Sequence, residues 1–150
     1  MSEVANVYGG RIIPALRYRN GAAAIDWLCA AFGFEEDRSV RHTDAAGIVG
    51  HAELERDGAR VMLATPNGAY RSPRHHRETC EDAARWLADP WVIDGVFVEV
   101  DDLVAHYDVA VAAGATILRE PSEPGVGFRI YTAEDPEGHR WMFGQRTGES

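Results

Sequence analysis

A histidine and a glutamate at alternate positions of one extended segment, His51-Ala52-Glu53-Leu54-Glu55, are the side chains best suited to proton chemistry. Alternate residues of a β-strand share a face, so Ala52 and Leu54 suit a buried side while His51 and Glu53 point together to the other. A neutral imidazole accepts a proton near physiological pH, and a neighbouring carboxylate orients it. The pair is therefore either a hydrogen-bonded pair on a sheet face or a general base with its orienting carboxylate. Arg17 lies in the extended run Arg11 to Tyr18, where alternation sends Ile12, Leu16 and Tyr18 to one side and Ile13, Ala15 and Arg17 to the other. It reads as a strand-edge cation paired with one of many carboxylates, or as a fork donor for a ligand oxyanion.

Further candidates lie in the second half of the chain. Phe97 and Glu99 share a strand face; Glu99 would pair with Arg17 or recognise a cationic group. In Gly127 to Thr132 the alternation leaves the inward set open. Arg129 and Tyr131 are the polar candidates, and Phe128, Ile130 and Thr132 form the other set. His76 and Cys80 stand one helical turn apart, but two ligands without a third and fourth make no zinc site. Of the four tryptophans, Trp27 and Trp141 are expected in the core, and Trp86 and Trp91 are left open.

The elements that position these residues occur twice. A strand from residue 11 leads to a helix capped by Asn20 and closed by Gly33; a strand from Gly95 to Val100 leads to a helix capped by Asp101 or Asp102 and closed by Gly114. Asn and Asp accept from the free N–H groups of a first helical turn, and Gly enters the left-handed region without a Cβ clash. Ile25, Leu28, Cys29 and Phe32 in the first helix, and Leu103, Tyr107, Ala110 and Val111 in the second, recur at helical period and define one buried side each. Three strands are expected after each helix: 35–41, 48–55 and 59–65, then 116–120, 127–133 and 139–144. The closing hairpins align: Gly58-Ala59-Arg60-Val61-Met62 beside Gly138-His139-Arg140-Trp141-Met142. Between the repeats, Pro66 to Pro73 is turn-rich and 74–88 reads as a helix, a connection long enough to cover one mouth of a cleft.

The run Tyr131 to Trp141, with Asp135-Pro136-Glu137-Gly138 between two strands, resembles the closing hairpin of vicinal oxygen chelate proteins, the glyoxalase, bleomycin-resistance and extradiol-dioxygenase group. Asn20 to Phe34 is similar to that family's first helix and its glycine exit, and the resemblance spans residues 11 to 145. It implies an α+β fold of two tandem βαβββ modules, at about 11–65 and 92–146 around a linker of about 66–91. The modules would form an eight-stranded, incompletely closed barrel-like sheet with a central cleft and helices outside, in one domain over residues 1–150. It also implies a homodimer. Metal-using members place one ligand on the first and last strand of each module, and those positions fall here on Ile13, Met62, Gly95 and Met142. None binds a hard cation, so no metal ligand and no cofactor are expected.

Two functions remain open. The first is a metal-independent small-molecule-binding protein of the glyoxalase/bleomycin-resistance type, for resistance or sequestration, with Arg17, His51, Glu53, Met62, Phe97, Glu99, Arg129, Tyr131 and Met142 as ligand-binding candidates. The alternative is a lyase, isomerase or dioxygenase in which His51 and Glu53 are catalytic, with a non-classical divalent-metal site of His51, Glu53 and Glu99 conceivable. Acidic residues outnumber basic ones by 24 to 15 and no basic run occurs, so nucleic acid has no electrostatic foothold. No apolar stretch reaches the length of a membrane span, and Met1-Ser2-Glu3-Val4 lacks a signal-peptide pattern; a cytoplasmic location is expected. Cys29 and Cys80 have no metal or disulfide spacing.

Overall fold

The caps act where the sequence places them. Asn20 accepts from the Ala23 N–H at 3.1 Å and starts α1 (Gly21–Phe32), and Gly33 ends it in the left-handed region at φ 77°. Asp102 accepts from the Ala105 N–H at 3.1 Å and starts α4 (Leu103–Ala112). The computed structural model describes residues 12–148. Arg11, the expected start of the first strand, and the segment Met1 to Val4 lie outside the described residues.

The chain divides into two compact units. The first comprises residues up to Cys29 and Gly33–Tyr70; the second comprises Ala30–Phe32 and the chain from Arg71 onward. In the first, β1 (Ala15–Arg17), β2 (Glu35–Glu36), β3 (His42–Thr43), β4 (Val49–Arg56) and β5 (Ala59–Ala64) form a five-stranded sheet of order β1-β5-β4-β2, with β3 also on β4. In the second, β6 (Gly95–Glu99), β7 (Thr116–Ser122), β8 (Phe128–Glu134) and β9 (Arg140–Arg146) run in the order β6-β9-β8-β7. Both sheets place first strand beside last in parallel and pair the remaining strands antiparallel. This repeated order is the tandem βαβββ architecture, with β3 as a ninth, two-residue strand.

Each helix covers one face of its sheet. In the first unit Ile25, Leu28, Ala52, Leu54, Val61 and Leu63 are buried, and Gly21 lies so close to Thr65 and Val49 that an added Cβ would stand 3.0 Å from the Thr65 hydroxyl. In the second unit Leu103 and Ala110 of α4 are buried with Tyr131, Ala133, Trp141 and Phe143. Phe32 joins that core, its ring 4.7 Å from Phe143 and 5.5 Å from Trp141. The tight turn between β4 and β5 uses Asp57 (φ 49°) and Gly58 (φ 79°), the positive-φ pair of a two-residue hairpin loop.

Several expectations are corrected. The strand 35–41 stops at Glu36, because the Asp37 carboxylate accepts from the Ser39 N–H and hydroxyl and starts a 3₁₀ turn, α-like but tighter, over Arg38–Val40. The strand 11–18 narrows to Ala15–Arg17, and Ile12, expected on the same side as the buried Tyr18, is exposed. Val111 on α4 is also exposed, and Cys29 is half-buried rather than buried. The helix 74–88 is two helices, α2 (Pro73–Thr79) and α3 (Glu81–Trp86), broken at Cys80 with extended backbone. Thr79 bonds its hydroxyl back to the His75 carbonyl at 2.8 Å, a local alternative to continuing the helix.

Candidate functional site

Every sheet has a second face, away from its helix. On the first sheet it carries Ala15 and Arg17 of β1, Arg60, Met62 and Ala64 of β5, and His51, Glu53 and Glu55 of β4, with Met62 flanked by Ala15 and Glu53. His51 Nε2 lies 2.8 Å from Glu53 Oε2, and Arg60 Nη1 donates to Glu53 Oε1 at 2.5 Å. Arg60, itself buried, is held from its other side by Asp37 at 3.2 Å and Glu55 at 3.6 Å. The hydrogen bond from Arg60, then that from His51, holds the Glu53 carboxyl below the usual glutamate range. The Ser39 hydroxyl, ahead of Arg60, does the same for Asp37. Glu53 therefore serves His51 as a fixed anion rather than as a base.

On the second sheet the face away from its helix carries an apolar patch between charged ends. Phe97, Met142 and Thr132 form one cross-strand row, and Glu99, Gly144 and Ile130 the next. Phe97 and Phe128 meet edge to face at 5.0 Å, directly over Gly144. A Cβ at Gly144 would stand 2.4 Å from Phe97 Cζ and 3.1 Å from the Phe128 ring, so this pairing requires the glycine. Phe97 remains 41% exposed despite it. The Arg146 guanidinium lies over the Phe128 ring at 4.7 Å and is bound by Glu99 at 3.1 Å. Beside Phe128 and Arg146 the loop 123–127 borders a hollow of about 530 Å³.

At the other end of that face, Glu134 is fully buried and receives both Arg77 of α2, at 2.7 Å, and Arg140, at 3.1 Å. Arg140 also donates to the carbonyls of Leu87 and Asp89. The Arg74 N–H binds the Glu137 carbonyl at 2.9 Å, and a Cβ on Gly138 would stand 2.7 Å from that nitrogen. The segment from Arg71 is thus fastened to the β8–β9 hairpin by a buried ion cluster.

Of the sequence candidates, Arg17, His51, Glu53 and Met62 share the open face of the first sheet, and Phe97, Glu99 and Met142 that of the second. Arg129 and Tyr131 are corrected: they share the helix-side parity of Phe143, and the Tyr131 ring is wholly buried. The set left out, Phe128, Ile130 and Thr132, is the one on the open face. Tyr131 instead meets His106 Nδ1 at 2.6 Å, while His106 Nε2 meets the Phe32 carbonyl at 3.0 Å. A carbonyl only accepts, so Nε2 carries a hydrogen and the neutral ring receives the Tyr131 hydroxyl on Nδ1. His106 follows Leu103 by three residues and precedes Ala110 by four, the spacing that marks the buried side of α4. Arg60, Phe128 and Gly144 were also missed; period-two counting from Met62 would have found Arg60.

The residues at the four positions that the resemblance assigns to metal ligands carry no side-chain oxygen or nitrogen donor. Met62 and Met142 offer thioethers, and Ile13 and Gly95 no side-chain donor, whereas hard and borderline cations need oxygen or nitrogen ligands. Among the described residues no group of three or more His, Cys, Asp or Glu side chains is arranged to hold an ion. No described helix is long and apolar enough to cross a membrane.

Comparison with known proteins follows the same lines. The model of the Glyoxalase/Bleomycin resistance protein/Dioxygenase superfamily matches residues 12–143. No curated protein matches the chain. Among solved structures, TioX from Micromonospora sp. ML1 is 28% identical with a TM-score of 0.66, covering 92% of this chain and 99% of that one. A bleomycin-binding protein complexed with bleomycin is 16% identical at a TM-score of 0.58, covering 91% and 98%. TnmS3, an antibiotic binding protein from Streptomyces sp. CB03234, is 16% identical at 0.57, covering 93% and 98%; at such identities the likeness is one of fold. With the family model matched along nearly all of the described chain and the two βαβββ modules in place, the chain belongs to the glyoxalase/bleomycin resistance protein/dioxygenase superfamily.

Proposed function

We infer that the chain is a metal-independent small-molecule-binding protein that sequesters a planar or amphipathic compound, as a resistance protein does. The observation that carries this reading is the Phe97–Phe128 pair held over Gly144, with Met142 and Ile130 beside it. An exposed edge-to-face pair offers a flat ligand an apolar surface, and such aromatic contacts contribute about 0.5–1.5 kcal/mol beyond area burial. Two thioethers at metal-ligand positions favour binding over Lewis-acid chemistry. Two solved structures of similar fold, a bleomycin-binding protein and the antibiotic binding protein TnmS3, support a small-molecule ligand. The reading includes a homodimer in the cytoplasm with no nucleic-acid partner, and sedimentation velocity tests the assembly.

The experiment is thermal stabilisation by a panel of planar antibiotics and metabolites, with and without a chelator. A ligand at about 100 times its Kd stabilises by about 2.7 kcal/mol. The expected result is saturable stabilisation that survives chelation and weakens about tenfold in Phe97→Ala, the cost of one lost aromatic anchor. Stabilisation that requires an added divalent metal, or a Phe97→Ala variant that binds as tightly as the wild type, overturns the proposal.

A further inference from the structure

The open face of the first sheet is built around one polar row that the aromatic platform does not use. Glu53 has Arg60 on one oxygen and His51 on the other, and Arg60 is buried and fixed in turn by Asp37 and Glu55. A carboxylate so held only accepts, so His51 Nε2 must carry the hydrogen of the shared bond. In the neutral ring this leaves the lone pair on Nδ1. His51 itself is 36% exposed, while Glu53 and Arg60 behind it are 13% and 6% exposed, so the ring is partly accessible and its support is enclosed.

The neighbours on this face restrict what meets that acceptor. Arg17 pairs with Ala64 and Ala52 with Leu63, so continuing this ladder by one residue, up to the register step where the Thr65 N–H meets the Val49 carbonyl, brings His51 and Arg17 to opposite sides of Ala64, about 10 Å apart over two strand spacings. Met62 and Ala15 continue the row in apolar surface. On the other side His42 of β3 stands edge-on to His51 at 6.4 Å. A carboxylate ligand would bring acceptors to an acceptor. A ligand that presents a hydroxyl donates to Nδ1, and an acidic hydroxyl gains more, because an oxyanion forming over Ala64 lies between His51 and the Arg17 cation.

We propose that the His51–Ala64–Arg17 row is a binding site for small molecules with an acidic hydroxyl, phenols and enols, with Nδ1 of His51 as proton acceptor. Arg60 is a positioning residue that keeps Glu53 aimed at Nε2. When the proton transfers fully, the ligand O–H bond breaks and an N–H bond forms on Nδ1. The electron pair stays on the ligand oxygen, giving an oxyanion beside an imidazolium whose other nitrogen is held by Glu53. This site stands on first-sheet residues alone and goes beyond the binding reading above.

The test uses two chromophoric probes, 4-nitrophenol and its methyl ether 4-nitroanisole, which share a ring and differ in the hydroxyl. The full chain should bind the phenol about tenfold more tightly, the size of one charge-assisted hydrogen bond. Bound 4-nitrophenol should ionise at lower pH than the free probe, by about 1 unit, as beside one opposite charge. His51→Phe keeps a flat ring at the same strand position and offers no acceptor; it should erase both effects. Equal affinities for the two probes in the wild type, or selectivity that survives His51→Phe, each overturn the assignment. ¹⁵N NMR of the wild-type ring provides a reading that needs no variant. The unprotonated His51 nitrogen should shift when 4-nitrophenol is added, and an unchanged signal overturns the proposal.

Discussion

The open faces of the two sheets share a topology and even some side chains, yet carry opposite contents. Row by row, Ala15–Met62–Glu53 in the first sheet corresponds to Phe97–Met142–Thr132 in the second, and Arg60 opposite Glu55 corresponds to Arg140 opposite Glu134. Methionine and arginine recur at the same steps of the closing strand. What differs are the partners: alanine against phenylalanine, glutamate against threonine, and Arg17 against Glu99. The first face becomes a hydrogen-bonded chain ending on a half-exposed imidazole. The second becomes an aromatic surface over a glycine. One backbone template thus serves either chemistry, because the strands fix only position and direction, and the side chains of three adjacent strands fix what a ligand meets.

The buried arginine is where the two faces can be separated most sharply. In the second sheet Glu134 neutralises Arg140 with almost no solvent access, and Glu134→Ala leaves that cation enclosed without its counter-charge. Breaking a buried pair in this way costs about 3–5 kcal/mol, and urea denaturation should show a loss of that size. In the first sheet Arg60 has three carboxylates, so Glu55→Ala, which removes the most solvent-exposed of them at 3.6 Å and leaves Glu53 and Asp37, should cost about 1 kcal/mol or less. Equal losses would break the comparison.

A smaller effect is expected at the glycine step. Gly144→Val places methyl groups where Phe97 now lies, and Phe97, half exposed, is free to swing outward. The fold should survive with little change in thermal midpoint while affinity for a planar ligand falls about tenfold, a loss of one aromatic contact read by titration. Unchanged affinity would detach ligand binding from the aromatic surface.

The smallest effect is a pH dependence confined to the polar face. The folded-state pKa of Glu53 is depressed, chiefly by the Arg60 hydrogen bond and then by His51. Its stabilisation is complete above the unfolded glutamate value of about 4.3 and is lost as pH falls through the lower folded value. Glu53→Gln should therefore flatten the acid limb of the stability curve below about pH 4.3, measured by thermal melts across pH. An acid limb identical to the wild type would show that the Arg60–Glu53 bond does not form in solution.

Much of this was legible because it is local. The helix starts at Asn20 and at the Asp101-Asp102 pair, and the stop at Gly33, depend on hydrogen bonds and φ angles within about four residues. His51 and Glu53 were legible together because strand alternation runs on one strand. The misreadings share a different cause. The strand holding Arg129 and Tyr131 alternates in either phase equally well, and its phase follows from pairing with β9 and from the Tyr131 ring entering the α4 core. Asp37 ended a strand through a side-chain bond to Ser39 that competes with the ladder.

The sequence by itself determined the repeat, the caps, the superfamily resemblance and the polar and apolar inventories of the two modules, since each follows from spacing along the chain. Only the tertiary structure decided which oxygen of Glu53 meets which partner, that His106 bridges a helix-end carbonyl and a buried phenol, and that Gly144 makes room for two aromatic rings. The physical reason is that these contacts join residues distant in sequence, and their geometry is set by strand register and burial, which no local pattern encodes.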